Sequence, residues 1–392
     1  MPKRVPYPHG SINPPRYGSV AFGFNSVAEA AEAFSKYGSR YAYGRMGNPS
    51  VEPFELWFAD FEGVTPGSVW ATHTGMTAVD LVILGSTLKD LGRGKRIVAS
   101  PYLYGGTYHL LEMYHRNEYI DVSWVEDPFD IGSWEKAFHK AYPVACVFLE
   151  SPANPTIDIF DIEAIAQLVR EYDSRLVVDN TLGVGLQFPI ALGADCAIYS
   201  VTKALDRTSS ELGGAVVVSP EFRMEVETVF DDLFVHKGMI MGADAAIMAH
   251  KHRTTLKRDM QLFSENALSV AKFLEQHCKV KKVNYPSLPS SQHFKLAQKQ
   301  MPNGSGGILS FELESFKKAV NFVESQQEAI LAVHLGDGNE HLITHPASTT
   351  HSKLSIKQLT ELHITPELVR MSVSLGDVDT LIKDFDRVLA SL

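Results

Sequence analysis

The chain has 392 residues, 45% of them hydrophobic and 21% charged, with a formal net charge of −10. That is ordinary soluble composition in a chain too long for one small core, so two domains are expected, with room for a terminal arm. The acidic balance argues against nucleic acid or an anionic membrane surface as a partner, and no apolar run has the length of a membrane span.

The first residues, MPKRVPYPHGSINPPRYG, carry Lys3 and Arg4 but no apolar stretch, and prolines interrupt them, so they do not read as a signal peptide. Residues 1–60 are rich in Gly, Pro, Tyr and Arg with little apolar periodicity, and RYAYGRMGNPS reads as an exposed loop turning at Asn48-Pro49. Over 61–250, short β-branched runs (RIVASP, IDVSWV, VACVFLES, RLVVDNT, CAIYSV, GAVVVSP) alternate with helix-like segments such as GGTYHLLEMYHR and IEAIAQLVREYD. Near-continuous apolar strands between helices predict an α/β domain whose mostly parallel sheet is covered on both faces. One long helical stretch follows from Asp244 to His277, with Ala267, Val270, Ala271 and Leu274 on one face. NYPSLPSS reads as a break, and the segments beyond it suggest a smaller α+β unit, so 251–392 is taken as the C-terminal domain. Cys146, Cys196 and Cys278 are widely spaced without a Cys-x-x-Cys and read as reduced thiols, which places the expected setting in the cytoplasm.

In a parallel sheet, functional groups gather at the carboxyl ends of the strands. Polar residues fall there at Tyr104, at Glu150 and Asn154, at Asp179, and at Ser200, Thr202 and Lys203. Singly, each has an ordinary reading: Asp179 as a helix cap, Tyr104 as a loop closure, Lys203 as a solvated amine. Together they contain a lysine, a carboxylate, an aromatic face and hydroxyls, the parts needed to use pyridoxal 5′-phosphate. Gly75-Met76 opens an apolar-periodic helix whose free N–H groups suit a phosphate, although a small-residue helix start explains the pair equally well. Other motifs fail. GVGLQF lacks the third glycine of a dinucleotide turn, GRGKR lacks the hydroxyl of a P-loop, and the fifteen histidines show no metal-ligand spacing, so no metal is expected.

The order YGRMGNPS, THTGM, YLYGGTY, LESPANPT, VVDNT, SVTK…GG, HPASTTH and LVRMSVSLGD resembles the Cys/Met-metabolism family of pyridoxal-phosphate enzymes, from about residue 14 to the C-terminus. The resemblance implies a type I aminotransferase-like fold in which Lys203 carries the cofactor and serves as general base. Asp179 would pair with the ring nitrogen. Tyr104 would stack on the ring and assist proton transfer. The Gly75 and Met76 amides would hold the phosphate together with the Ser200 and Thr202 hydroxyls. Asn154 would lie near the ring 3-oxygen, and Arg370 would take the substrate α-carboxylate. Tyr43 and Arg45 match a pattern that reaches the neighbouring subunit's phosphate, so residues 1–60 are expected to contact a partner in a homo-oligomer of shared active sites, a tetramer by family habit.

The departures bear on specificity. Arg207-Thr208-Ser209-Ser210 replaces the family's usual Gly-His-Ser-Asp, and His334 stands where a serine usually precedes Leu-Gly. Gly106 replaces the cysteine typical of methionine γ-lyases, and Val333 replaces the glutamate usual in γ-specific cystathionine enzymes. The expected activity is therefore C–S bond cleavage in a sulfur amino acid, of the cystathionine β-lyase or a broader cystathionine/cysteine lyase type, with Val333 and His334 near the substrate. Replacement chemistry, as in O-acylhomoserine sulfhydrylases or cystathionine γ-synthases, is the alternative. A non-catalytic binding protein on the same fold is the remote one.

Overall fold

A computed structural model describes residues 7–35 and 41–392. Residues 1–6 of the expected arm, and the 36–40 stretch with Arg40, lie outside the described residues. The region read as irregular contains two helices, α1 (Val27–Ser35) and α2 (Glu52–Glu62). Phe54, Phe58 and Ala59 of α2 are fully buried and pack with Tyr199, Ala71 and Val217 of the sheet described below. Glu52, Glu55, Asp60 and Glu62 dilute that apolar stripe, which is why the periodicity was hard to see in the sequence.

Among the described residues the chain forms two sheets. The larger holds β1 (Val69–Thr72), β2 (Arg96–Ala99), β3 (Asp121–Trp124), β4 (Cys146–Glu150), β5 (Leu176–Asp179), β6 (Cys196–Ser200) and β7 (Gly214–Val218), in the order β1-β7-β6-β5-β4-β2-β3. Strands β3, β2, β4, β5 and β6 are parallel, whereas β7 runs antiparallel to both β6 and β1. The carboxyl ends of β1, β2, β4, β5 and β6 therefore share one edge. The intervening helices are α3 (Gly75–Thr87), α4 (Gly105–Arg116), α5 (Ile131–Ala141), α6 (Ile162–Glu171) and α7 (Pro220–His236).

Both faces of this sheet are dry. On β4, Cys146 and Phe148 face a cluster with Val79 and Ile83 of α3, while Val147 and Leu149 face Trp134 of α5 and Ile165 of α6. Period-two side chains with no polar face are what a parallel sheet covered by helices requires. The Asp161 side chain caps α6 by accepting from the Ala164 N–H, and Ile162, Ile165, Ala166 and Val169 form its buried stripe. Cys146 and Cys196 are buried within β4 and β6, and Cys278 is exposed.

The stretch expected as one long helix is two, α8 (Ala243–Lys251) and α9 (Leu256–Gln276). The turn between them is held from outside: Arg207 Nη2 bonds His252 Nδ1 and lies 3.2 Å from Thr255 Oγ1, and Arg207 pairs with Asp259 on α9. Ala267, Val270, Ala271 and Leu274 of α9 are buried, as their spacing predicts.

The second sheet holds β8 (Val280–Asn284), β9 (Ile308–Leu313), β10 (Ala329–Leu331), β11 (His341–Thr344) and β12 (Leu368–Ser372), in the order β10-β11-β12-β9-β8 and antiparallel except for β10 with β11. Its helices are α10 (Phe294–Gln300), α11 (Phe316–Glu324), α12 (Ile356–Glu361) and α13 (Val378–Ser391). NYPSLPSS follows β8 and so lies inside this unit rather than before it. No described helix is long and apolar enough to cross a membrane.

Candidate active site

The shared strand edge faces β12 across a cavity of about 340 Å³. Tyr104, Asn154, Asp179, Ser200, Thr202, Lys203, Val333, His334 and Arg370 all line it, together with Gly75 and Met76. These residues span 75–370 in sequence, and the fold brings them to one place.

The cradle is built by β1, β6 and β7. Thr74 caps α3 by accepting from the Thr77 N–H at 3.0 Å, which leaves the amides of Gly75 and Met76 without helical partners. A Cβ on Gly75 would come within 2.8 Å of the Ser200 Cβ, so only glycine lets the first turn of α3 lie against the end of β6. Gly214 is held to the same rule, since its Cβ would meet the Thr74 carbonyl oxygen at 2.2 Å. The Thr202 hydroxyl accepts from the Gly213 N–H at 2.9 Å, which fixes its direction beside Ser200. Free amides, a positive helix end and the Ser200 hydroxyl suit an anion, while the Thr202 hydroxyl donates to the Gly213 carbonyl at 3.2 Å.

Next to the cradle, Asp179 ends β5. Its Oδ1 accepts from the Thr181 N–H at 3.0 Å and hydroxyl at 2.6 Å, and burial pushes its carboxyl upward in spite of those bonds. A cation at this carboxylate would reverse that rise. Tyr104 stands at the cap position of α4 with its side chain partly exposed, and its N–H donates to Glu150 Oε2 at 2.5 Å. Glu150 Oε1 accepts from the Asn154 N–H at 2.8 Å. One buried carboxylate thus fixes two loops of the site. Glu150 was visible in the sequence as a polar strand end, but its partners depend on tertiary contacts that spacing does not reveal. Thr181, which orients Asp179, gave no signal of its own.

Burial, with the Arg370 charge adding to it, pushes the Lys203 amine down to about 8. Its Nζ lies 3.3 Å from His334 Nδ1. Arg370, on β12, is only 2% exposed. It donates to Asn154 Oδ1 at 3.0 Å and to the carbonyls of Val333 and His334 at 3.3 and 3.2 Å, while its Nε is buried with no partner. Burial lowers it to about 10, so it remains a cation at the cavity wall. Burial, followed by the Lys203 charge, holds His334 down at about 4, which keeps the imidazole neutral.

Tyr43 and Arg45 are elsewhere. Arg45 lies over the Tyr43 ring at 5.6 Å and donates to the Val235 carbonyl at 2.5 Å, and neither residue lines the cavity of its own chain. The residues that do line it fit pyridoxal phosphate: the anion cradle suits the phosphate, Asp179 a protonated ring nitrogen, Tyr104 the ring face and Lys203 the aldehyde carbon.

Comparison with known proteins agrees with this geometry. The family model for Cys/Met metabolism PLP-dependent enzymes matches residues 2–390. An O-succinylhomoserine sulfhydrylase of Mycobacterium tuberculosis is 32% identical over 380 residues, covering 95% of this chain and 90% of that protein. A cystathionine beta-lyase of Lactococcus lactis subsp. cremoris is 32% identical, covering 97% of this chain and 94% of its own. Among solved structures, a Campylobacter jejuni chain assigned as an O-acetylhomoserine (thiol)-lyase, with its cofactor present as a pyridoxyl-lysine monophosphate, superposes with a TM-score of 0.91. That chain is 28% identical, and the match covers 98% of this chain and 96% of that one.

Proposed function

Because the chain belongs to the Cys/Met-metabolism family of pyridoxal-phosphate-dependent enzymes, we propose that it cleaves the C–S bond of a sulfur amino acid by elimination, as a cystathionine β-lyase or a broader C–S lyase. The observation that carries this reading is the pairing, in one cavity, of a half-satisfied buried arginine with an amine lowered toward neutrality. Arg370 takes the α-carboxylate through its planar fork and so sets the Cα hydrogen toward Lys203. Lys203, as free amine, removes that proton. Bound pyridoxal phosphate supplies the electron sink that makes the proton acidic. Asp179 keeps a positive charge at the ring nitrogen, and Tyr104 covers the ring and excludes water from that face. The sulfur then leaves from Cβ past Leu212, Val333 and Leu335, an apolar outlet that suits a poorly hydrated thioether or thiol.

A second reading has support in the sulfhydrylase relatives: the same outlet would receive the ester of an acylated homoserine, with sulfide taking its place on Cγ as the acyloxy group leaves as a carboxylate. Supplying cystathionine, cysteine, methionine and O-acetylhomoserine, each with and without sulfide, separates the two. Pyruvate from a thioether or thiol substrate supports the lyase. Sulfide-dependent homocysteine with negligible keto acid from any of the sulfur substrates establishes the sulfhydrylase instead.

A further inference from the structure

His334 holds both arms of the site at once. Its ring Nδ1 lies 3.3 Å from Lys203 Nζ, and its carbonyl oxygen accepts from Arg370 Nη2 at 3.2 Å. An amino acid whose carboxylate sits on Arg370 and whose Cα sits within reach of Lys203 must therefore lie against His334. Its side chain has to leave Cα past the imidazole.

The backbone beside the ring is held in place. The loop that carries it is stitched to the segment following Lys203, where Ser209 Oγ donates to Asp337 and the Gly338 N–H donates to the Arg207 carbonyl at 2.9 Å, and to the end of β12, where the Gly336 N–H donates to Ser372 Oγ at 3.0 Å. Gly336 lies so close to that segment that a Cβ there would meet the Ala204 nitrogen at 2.9 Å. Arg207 is in turn anchored on α9 through Asp259. The residues that depart from the family pattern after the lysine thus belong to the scaffold that fixes the departure at 334.

We propose that His334 is the specificity-determining residue of the site, a wall beside the substrate side chain that favours a short thiol amino acid such as cysteine and penalises longer side chains, that of cystathionine included. The charged groups around it are Lys203 and Arg370 on the cavity side, with Asp337 and Asp206 also close enough to act on it. With burial and two cations opposing its protonation, the ring offers no charge to an acidic side chain. The inference deepens the elimination reading by naming the length of side chain preferred, and it can be tested without turnover.

The experiment titrates the holoenzyme with L-alanine and L-norleucine, following the change in cofactor absorbance to obtain a Kd for each. Wild type should favour alanine. His334→Ser should shift the norleucine-to-alanine Kd ratio toward norleucine by about tenfold, the scale on which a pocket discriminates by methylene groups. His334→Asn, intermediate in size, should fall between, and Ser209→Ala, which loosens the stitch, should move the ratio in the same direction by less. An unchanged ratio in both His334 variants overturns the proposal. So does loss of cofactor absorbance in both, which would make the residue structural. Because binding is read with unreactive amino acids, a sulfhydrylase outcome in the turnover assay leaves this test standing.

Discussion

Glu150 and Asp179 sit opposite one another on adjacent parallel strands, two buried carboxylates in one register position of the sheet. Burial raises both carboxyls, and the charge on Asp179 raises Glu150 further. The pair is held apart in function by its partners: Asp179 is oriented by Thr181, while both oxygens of Glu150 are spent on the N–H groups of Tyr104 and Asn154.

Glu150→Gln keeps one acceptor and turns an amide group toward the other N–H. A buried N–H left without its acceptor costs about 1–3 kcal/mol, so the expected loss of stability is about 2 kcal/mol. The Michaelis constant for the amino acid should also rise, because Asn154 is the side chain that braces Arg370. Thermal unfolding and steady-state kinetics check both. Wild-type values in the variant would show that the two loops hold themselves.

Arg207 adopts a left-handed conformation, with φ at 56°, which costs a non-glycine residue about 1–2 kcal/mol. Its ion pair with Asp259 holds it there. Arg207→Ala and Arg207→Gly both lose the pair and should both be less stable than wild type, but alanine retains the backbone strain and glycine does not. The glycine variant is expected to be the more stable of the two by about 1 kcal/mol in urea unfolding. The opposite order would mean that the backbone there carries no strain.

What the sequence revealed, and what it concealed, follows from where each signal resides. Strands β2 and β4 to β7 were legible because residues buried on both faces make continuous apolar runs, and the edge strand β3 by its β-branched Ile-Asp-Val-Ser-Trp-Val stretch. The β1 strand, Val-Trp-Ala-Thr, did not stand out because Trp70 and Ala71 interrupt the β-branched run that marked the others. The break between α8 and α9 was hidden because HRTT is locally tolerable in a helix, and the residue that opens it, Arg207, lies some 45 positions earlier. The candidate residues were picked out as a set from strand ends and family order, and all but Tyr43 and Arg45 line one cavity. The bond from His334 to Lys203 could not be read, since it depends on how the loop after β10 is stitched to the lysine segment.

The lowered amine of Lys203 also has a consequence for stability. In the unfolded chain the group keeps its ordinary value of 10.5, and in the folded, cofactor-free chain it titrates at about 8. The unfolded state therefore binds the extra proton between those values, so this group destabilises the fold fully below pH 8 and ceases to do so above 10.5. Lys203→Met should be more stable than wild type at neutral pH when both are stripped of cofactor. That advantage should shrink as pH rises through the window. Urea midpoints on either side of it give the answer, and a pH-independent difference would mean that the amine is not perturbed.

Arg45 and Tyr43 lie outside the cavity of their own chain, and a shared site would have them serve a neighbour. Arg45→Ala and Lys203→Ala should each be inactive alone, and mixing them should restore activity, because one site of a mixed dimer then has both side chains. Mixed dimers that form and stay inactive would place Arg45 within its own chain or outside catalysis.

The most direct test of the whole account is chemical. Borohydride reduction of the yellow holoenzyme, followed by peptide mass mapping, should fix one pyridoxyl phosphate per chain on Lys203. The account predicts that adduct and its loss in Lys203→Ala, with the cofactor still bound noncovalently in the cradle of Gly75, Met76 and Ser200. A reduced adduct on any other lysine, or none at all, would contradict it.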